Sequence, residues 1–206
     1  MIQQLAEAAG RTVSRETLQL LERYESLLRA EAAKQNLISS STLQSLWQRH
    51  ILDSAQLVKF APSTDTRWVD IGSGAGLPGL VIAILVDGPV LLVEPRRLRA
   101  EFLARVVTEL GLETRVRIAP TKAEKVNETF DTITARAVAD LDKLLKISTH
   151  LSTRKSLWVL PKGRSAESEL AEARRNWHCD AEIVPSRTDP DSRILLLWNV
   201  RARGGR

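Results

Sequence analysis

The 206-residue chain has little of several things, and each shortage excludes something. It has one cysteine, Cys179, so neither an internal disulfide nor a multi-cysteine zinc site can form, and a reducing cytosol suits it. Its longest apolar run, Leu77 to Val86, contains Pro78 and Gly79 and falls far short of the ~20 residues of a membrane-spanning helix. The opening Met1-Ile2-Gln3-Gln4 lacks the basic start and apolar run of a signal peptide. The expected place is the cytoplasm, away from membranes. The three histidines, His50, His150 and His178, are scattered, and no metal is expected. No repeat or low-complexity segment is visible, and 43% hydrophobic residues suffice for a core.

What is present is positive charge, unevenly placed. The chain nets +5, yet residues 1–66 hold seven Lys/Arg and seven Asp/Glu, so the whole excess follows Arg67. Three of these charges, Arg201, Arg203 and Arg206, lie in a tail expected to be mobile, and Arg96, Arg97 and Arg99 cluster near residue 97. A basic balance suits a polyanion such as RNA, and it equally suits solubility alone.

Periodicity divides the chain. Leu20, Tyr24, Leu27 and Leu28 fall at helical spacing behind a Ser14 N-cap with Glu16 in the first turn. A second amphipathic helix is expected after Ser41/Thr42, with Leu43, Leu46, Trp47, His50, Ile51, Ser54, Leu57 and Val58 on its inner face. From Arg67, short apolar runs alternate with helical segments. Strands are expected at 68–71, 90–94, 116–118, 130–135 and 157–160. The helices between them are expected at 80–86, from Pro95 through Leu110, around 141–147 and over 166–175. Such alternation implies a mostly parallel sheet with helices on both faces. Segments 181–185 and 193–200 flank a turn too short for a helix and read as an antiparallel hairpin on the sheet edge. The expected organisation is a helical cap over 1–66, an α/β domain over 67–200 and a basic tail over 201–206.

Val69-Asp70-Ile71-Gly72-Ser73-Gly74-Ala75-Gly76-Leu77-Pro78-Gly79 follows a strand and opens a helix, where glycines let a ligand approach the backbone. Gly74-x-Gly76-x-x-Gly79 matches the dinucleotide fingerprint, and Gly72-x-Gly74-x-Gly76 behind Asp70 matches an S-adenosylmethionine loop. A carboxylate at the loop's mouth repels a pyrophosphate and attracts ammonium and sulfonium charge, which favours the second. Glu94 ends the next strand, where a carboxylate can accept ribose hydroxyls.

The chain lacks the Asn/Asp-Pro-Pro-aromatic turn used to methylate exocyclic amines. Cys179 lies outside the loops after the central strands, so it reads as structural rather than as the nucleophile of carbon-5 chemistry. His50 reads as a core or contact histidine. An acceptor with a free lone pair and no proton to lose, such as guanine N7, needs alignment rather than a base. Arg136 and Lys162, at the ends of the fourth and fifth strands, are the candidate catalytic residues for that alignment. A methyltransferase for a small molecule or another RNA, a non-catalytic binding module and a nicotinamide-dependent oxidoreductase remain as alternatives, the last disfavoured by Asp70.

Taken with Asn36-Leu37, His50-Ile51-Leu52-Asp53-Ser54, Ala123-Glu124, Phe130-Asp131, Arg136-Ala137 and Lys162-Gly163, the loop resembles the bacterial 16S rRNA guanosine N7-methyltransferase family, once called glucose-inhibited division protein B. The resemblance spans about residues 14–200, with departures at Leu98, Lys122 and Pro161. It implies a seven-stranded class I methyltransferase sheet behind a helical cap, acting on a guanosine of the decoding region in the small ribosomal subunit. By the resemblance Gly72, Leu77, Ala123, Glu124 and Arg136 line the cofactor site, joining Asp70, Gly74, Gly76 and Glu94. The expected state is a monomer.

Overall fold

The computed structural model describes residues 1–35, 37 and 44–204. Asn36, the Ser41/Thr42 cap, Leu43 and Arg206 lie outside the described residues. Helix α1 (Ile2–Ala9), within the expected helical cap though not singled out there, ends on Gly10 in the left-handed conformation. Helix α2 (Arg15–Ala32) starts as expected, with Ser14 Oγ accepting from the Thr17 N–H, and buries Leu21, Tyr24 and Leu28. The expected second amphipathic helix is instead a composite rod. A π-helical stretch, Trp47–Leu52, runs into Asp53–Ala55 and then a 3-10 turn, Gln56–Phe60. Wide and then tight winding still keeps Leu46, Ile51, Leu57 and Val58 buried.

The sheet holds β1 (Trp68–Ile71), β2 (Val90–Val93), β3 (Val116–Ala119), β4 (Thr132–Ala135), β5 (Leu157–Lys162), β6 (Trp177–Pro185) and β7 (Arg193–Ala202). Their order is β3-β2-β1-β4-β5-β7-β6. The first five strands run parallel, and β7 inserts antiparallel between β5 and β6. Near-continuous apolar strands are what a parallel sheet covered on both faces requires. Helices α3 (Gly79–Leu85) and α4 (Arg97–Glu109) pack with the N-terminal helices against one face, through Ile82, Phe102, Leu103 and Tyr24. Helices α5 (Leu141–Ser148) and α6 (Ala166–Ala173) cover the other, through Leu141, Leu144 and Leu170. Among the described residues no helix is long and apolar enough to cross a membrane.

Several boundaries differ from expectation, β6 among them, which begins at Trp177 rather than at 181. Helix α4 starts at Arg97 rather than Pro95, because the Arg96 N–H is drawn back to Glu94 Oε1 at 2.8 Å and Arg96 stays extended. Strand β4 starts at Thr132, because Phe130 is held by the Leu151 carbonyl and Asp131 and Thr132 share the Arg67 carbonyl. The basic tail begins inside the sheet, since β7 runs through Arg201 and Ala202 before a turn at Arg203 and Gly204. Arg201 lies within β7 opposite His178, and Arg203 bonds the Trp177 carbonyl through Nε at 3.2 Å, so neither is mobile charge.

Candidate functional site

The strand order reverses at β1. The chain steps outward through β2 and β3, then returns to place β4 on the other side of β1. The carboxyl ends of β1 and β4 therefore bound the crevice where such sheets bind ligands. Parallel register sets Ile71 beside Ala135, which brings the glycine loop and Arg136 together.

Asp70 does not stand at the loop's mouth. It is 1% exposed and lies beneath the loop, with Oδ2 accepting the Gly79 N–H at 3.0 Å as α3 begins. Its Oδ1 is buried without a hydrogen-bond partner. Burial pushes the carboxyl up to about 7, against weaker downward pulls from Ser73, the Gly79 N–H and Arg136. Gly72, Gly74 and Gly76 all have positive φ, but their surroundings differ. A Cβ on Gly72 would strike Val138 at 2.7 Å and one on Gly76 would strike Leu80 at 2.3 Å. At Gly74 the nearest atoms, Arg99 Nη1 and the Gly72 carbonyl, are 3.7 Å away, ordinary van der Waals contact, so this is the uncrowded glycine of the three. Leu77 is buried behind the loop.

Two groups brace the loop from outside it. Tyr24 of α2, fully buried, donates its hydroxyl proton to the Ala75 carbonyl at 2.9 Å. Glu94, 3% exposed, accepts from the Gly74 N–H at 2.9 Å and from the Arg96 N–H. Its carboxylate thus also ties the loop to the start of α4, a duty the sequence did not indicate. The orphaned Asp70 oxygen and the uncrowded Gly74 fit a small cationic ligand laid along this loop. Ala123 is buried and Glu124 exposed in a 3-10 turn after β3.

Beside the loop lies a cleft of about 310 Å³ lined by Asp53, Arg136, Ala137, Lys162, Glu169, Ser192 and Arg193, among others. The segment after Arg136 is the shared wall, since Val138 abuts Gly72 while Ala137 and Ala139 face the cleft. Lys162 enters it already engaged, with Nζ 2.7 Å from Glu169 Oε2 and 3.5 Å from the Ala139 carbonyl. Burial alone would raise the Glu169 carboxyl, but Lys162, Ser165 and the Leu141 N–H outweigh it and hold the group low.

Sequence reasoning did not assign a role to Asp53 or foresee the part of the β6–β7 turn. Asp53 Oδ1 accepts from Thr188 Oγ1 at 2.7 Å and from Gln56 Nε2 at 2.9 Å, which ties the rod to that turn. Gln56, fully buried, also accepts the Arg187 N–H. His50, three residues before Asp53, is half-buried, and both its ring nitrogens lack partners. Burial, with Arg136 and Arg49 nearby, pushes its pKa down to about 4, so the ring is neutral. It is a contact histidine without a protein contact for its nitrogens.

Comparison with known proteins bears on the family and the fold. The family model described as rRNA small subunit methyltransferase G matches residues 17–192. A ribosomal RNA small subunit methyltransferase G of Zymomonas mobilis is 44% identical over 200 residues, spanning 93% of this chain and 90% of that protein. One from Sphingopyxis alaskensis is 48% identical over 182 residues, spanning 85% and 76%. Among solved structures, a SAM-dependent methyltransferase from Aquifex aeolicus superposes with a TM-score of 0.59 at 14% identity, covering 75% of this chain and 92% of the other. A mutant of MtNAS in complex with S-adenosylmethionine gives 0.57 at 16%, covering 87% and 74%. These two speak for the fold.

Proposed function

The chain belongs to the rRNA small subunit methyltransferase G family, and from that premise we propose that it methylates N7 of a guanosine in the decoding region of small-subunit rRNA. It is an S-adenosylmethionine-dependent methyltransferase of that RNA. We place its work in the cytoplasm, as a monomer. The observation that carries the N7 reading is the pairing of a ligand loop with a cleft holding Arg136 and Lys162 across one shared wall.

When bound, the cofactor supplies a methyl group on a cationic sulfur. Of the loop glycines Gly74 would let it approach the backbone, while Gly72 and Gly76 accommodate Val138 and Leu80; Asp70 Oδ1, without a hydrogen-bond partner among the described residues, would face its positive charge, and Glu94 lies at the position suited to ribose hydroxyls. Leu77, Ala123 and Glu124 complete this set as the family pattern implies. Arg136 serves the cofactor side and also faces the cleft. Lys162 holds the RNA through a phosphate or guanine O6. Neither has to remove a proton, because N7 carries none. Catalysis then rests on alignment and electrostatics.

Lys162→Ala is expected to keep S-adenosylmethionine affinity while methylation falls about tenfold or more, the loss of one charged contact to the nucleotide. Arg136→Ala is expected to lose both. Calorimetry beside a methyl-transfer assay on small subunits separates them, and the rate at saturating S-adenosylmethionine should show no ascending limb from a base between pH 6 and 8, roughly the range in which an ordinary histidine titrates. Full activity in Lys162→Ala would contradict this division of duties.

A further inference from the structure

Resting on the reading of the site as a guanosine methyltransferase, we propose that Asp53 is a specificity-determining residue that recognises the target guanine by accepting its N1 proton. The argument starts from a constraint. The commonest protein contact to guanine is an arginine forked onto O6 and N7. An enzyme that must deliver a methyl to N7 has to leave that atom free. It must read guanine from O6 around to the Watson–Crick edge, where N1–H and the N2 amine are donors, as enzymes acting on unstacked bases do. The cleft therefore needs a donor and a carboxylate side by side.

Asp53 and Arg136 supply that order. Arg136 Nη1 lies 3.5 Å from Asp53 Oδ2, with side chains 20% and 18% exposed and both on the cleft wall. At that separation the bond is at the limit of a real one, so each partner keeps capacity for a third group. Oδ1 is committed to Thr188 and Gln56, which fixes the carboxylate's orientation, while among the described residues Oδ2 has only Arg136. Guanine offers O6 to the guanidinium and N1–H to Oδ2. Adenine offers the reverse order, an amine toward the cation and a lone pair toward the carboxylate, and is rejected on both counts. Lys162 is then left for phosphate. The other cleft carboxylate, Glu169, is filled by Lys162, Ser165 and the Leu141 N–H.

The test uses the full chain and small-subunit RNA assembled by ligation, with guanosine or 2-aminopurine at the mapped methylation site. 2-Aminopurine keeps N7 but has neither O6 nor an N1 proton. Wild type is expected to prefer guanosine in kcat/KM by about tenfold or more, one good polar contact to a base edge. Asp53→Asn keeps an acceptor for Thr188 and Gln56 and turns a donor to the cleft. It should lose activity on guanosine, hold or gain it on 2-aminopurine, and leave S-adenosylmethionine affinity and thermal stability near wild type. The intrinsic difference in N7 reactivity is common to both enzymes and cancels in the ratio. Equal kcat/KM of wild type on the two RNAs, after division by the uncatalysed N7 methylation rates of the two nucleosides, would overturn the proposal without any variant. An unchanged ratio in Asp53→Asn, with weaker cofactor binding, would overturn it in favour of mere support for Arg136. Absence of methylation on the guanosine RNA itself would instead count against the parent reading and withdraw the proposal with it.

Discussion

Asp70 shows at the scale of one residue how a motif and its geometry differ. The Asp-x-Gly pattern marks a carboxylate for a cationic ligand, but nothing in the pattern says that the carboxylate is sealed under the loop and spends one oxygen on the Gly79 N–H. Burial raises its pKa from 3.8 to about 7. The raised value means that protonation favours the folded state. This group's contribution to stability is complete below about pH 4 and declines as pH rises toward 7. Cofactor binding runs the other way, because positive charge near Oδ1 favours the ionised form. S-adenosylmethionine affinity should therefore climb from pH 5.5 to 7.5, by up to about tenfold per unit below the carboxyl's own pKa, and flatten near the top. Asp70→Asn should abolish the climb. Calorimetry across that range checks it, and a pH-independent affinity in wild type would rule Asp70 out as the charge partner.

At the scale of elements, the site depends on a helix that lies more than forty residues before the loop it braces. Tyr24 was legible as an apolar-face position of α2, yet its hydroxyl bond to the Ala75 carbonyl was not, since helical spacing reports which face is buried and not what the face touches. The same applies to Asp53. His50-Ile51-Leu52-Asp53-Ser54 stood out as a block, but its use depends on the β6–β7 turn, some 130 residues later, reaching back to Gln56 and Asp53. Strands, most helices and the hairpin were readable from periodicity. The π-helical winding at Trp47–Leu52 was not, because its apolar positions also fit an α-helix. Tyr24→Phe removes one hydroxyl and strands a buried carbonyl, at a cost of about 1–3 kcal/mol. Thermal denaturation should show a fall of roughly 2–12 °C for a chain of this length, with S-adenosylmethionine affinity several-fold weaker. An unchanged melting temperature and affinity would mean that the brace is incidental.

Over the whole molecule, composition located the charge but not its form. The excess after Arg67 is real, and Arg154, His178 and Arg201 do gather around a cleft at the start of β6, beside Cys179. Arg201 is fixed there by the β6–β7 ladder opposite His178 rather than carried on a tail, because β7 continues to Ala202, while Arg154 reaches the cleft from the turn before β5. The alternation of strands and helices gave the parallel half of the sheet. The insertion of β7 between β5 and β6 was not legible, since a hairpin's sequence fixes its internal pairing and not which of its strands joins the sheet. That insertion carries the hairpin turn to the cleft and so completes a site whose loop and two cations were recognisable from the start. The most direct test of the account is a transfer measured on the intact partners. Small subunits from a strain lacking the gene are incubated with the purified chain and methyl-labelled S-adenosylmethionine, and the RNA is digested in parallel to nucleosides and to ribonuclease fragments for mass spectrometry. The account predicts label in 7-methylguanosine from the decoding region and in no other nucleoside. Label on another atom or another base, or none while the cofactor binds normally, would contradict it.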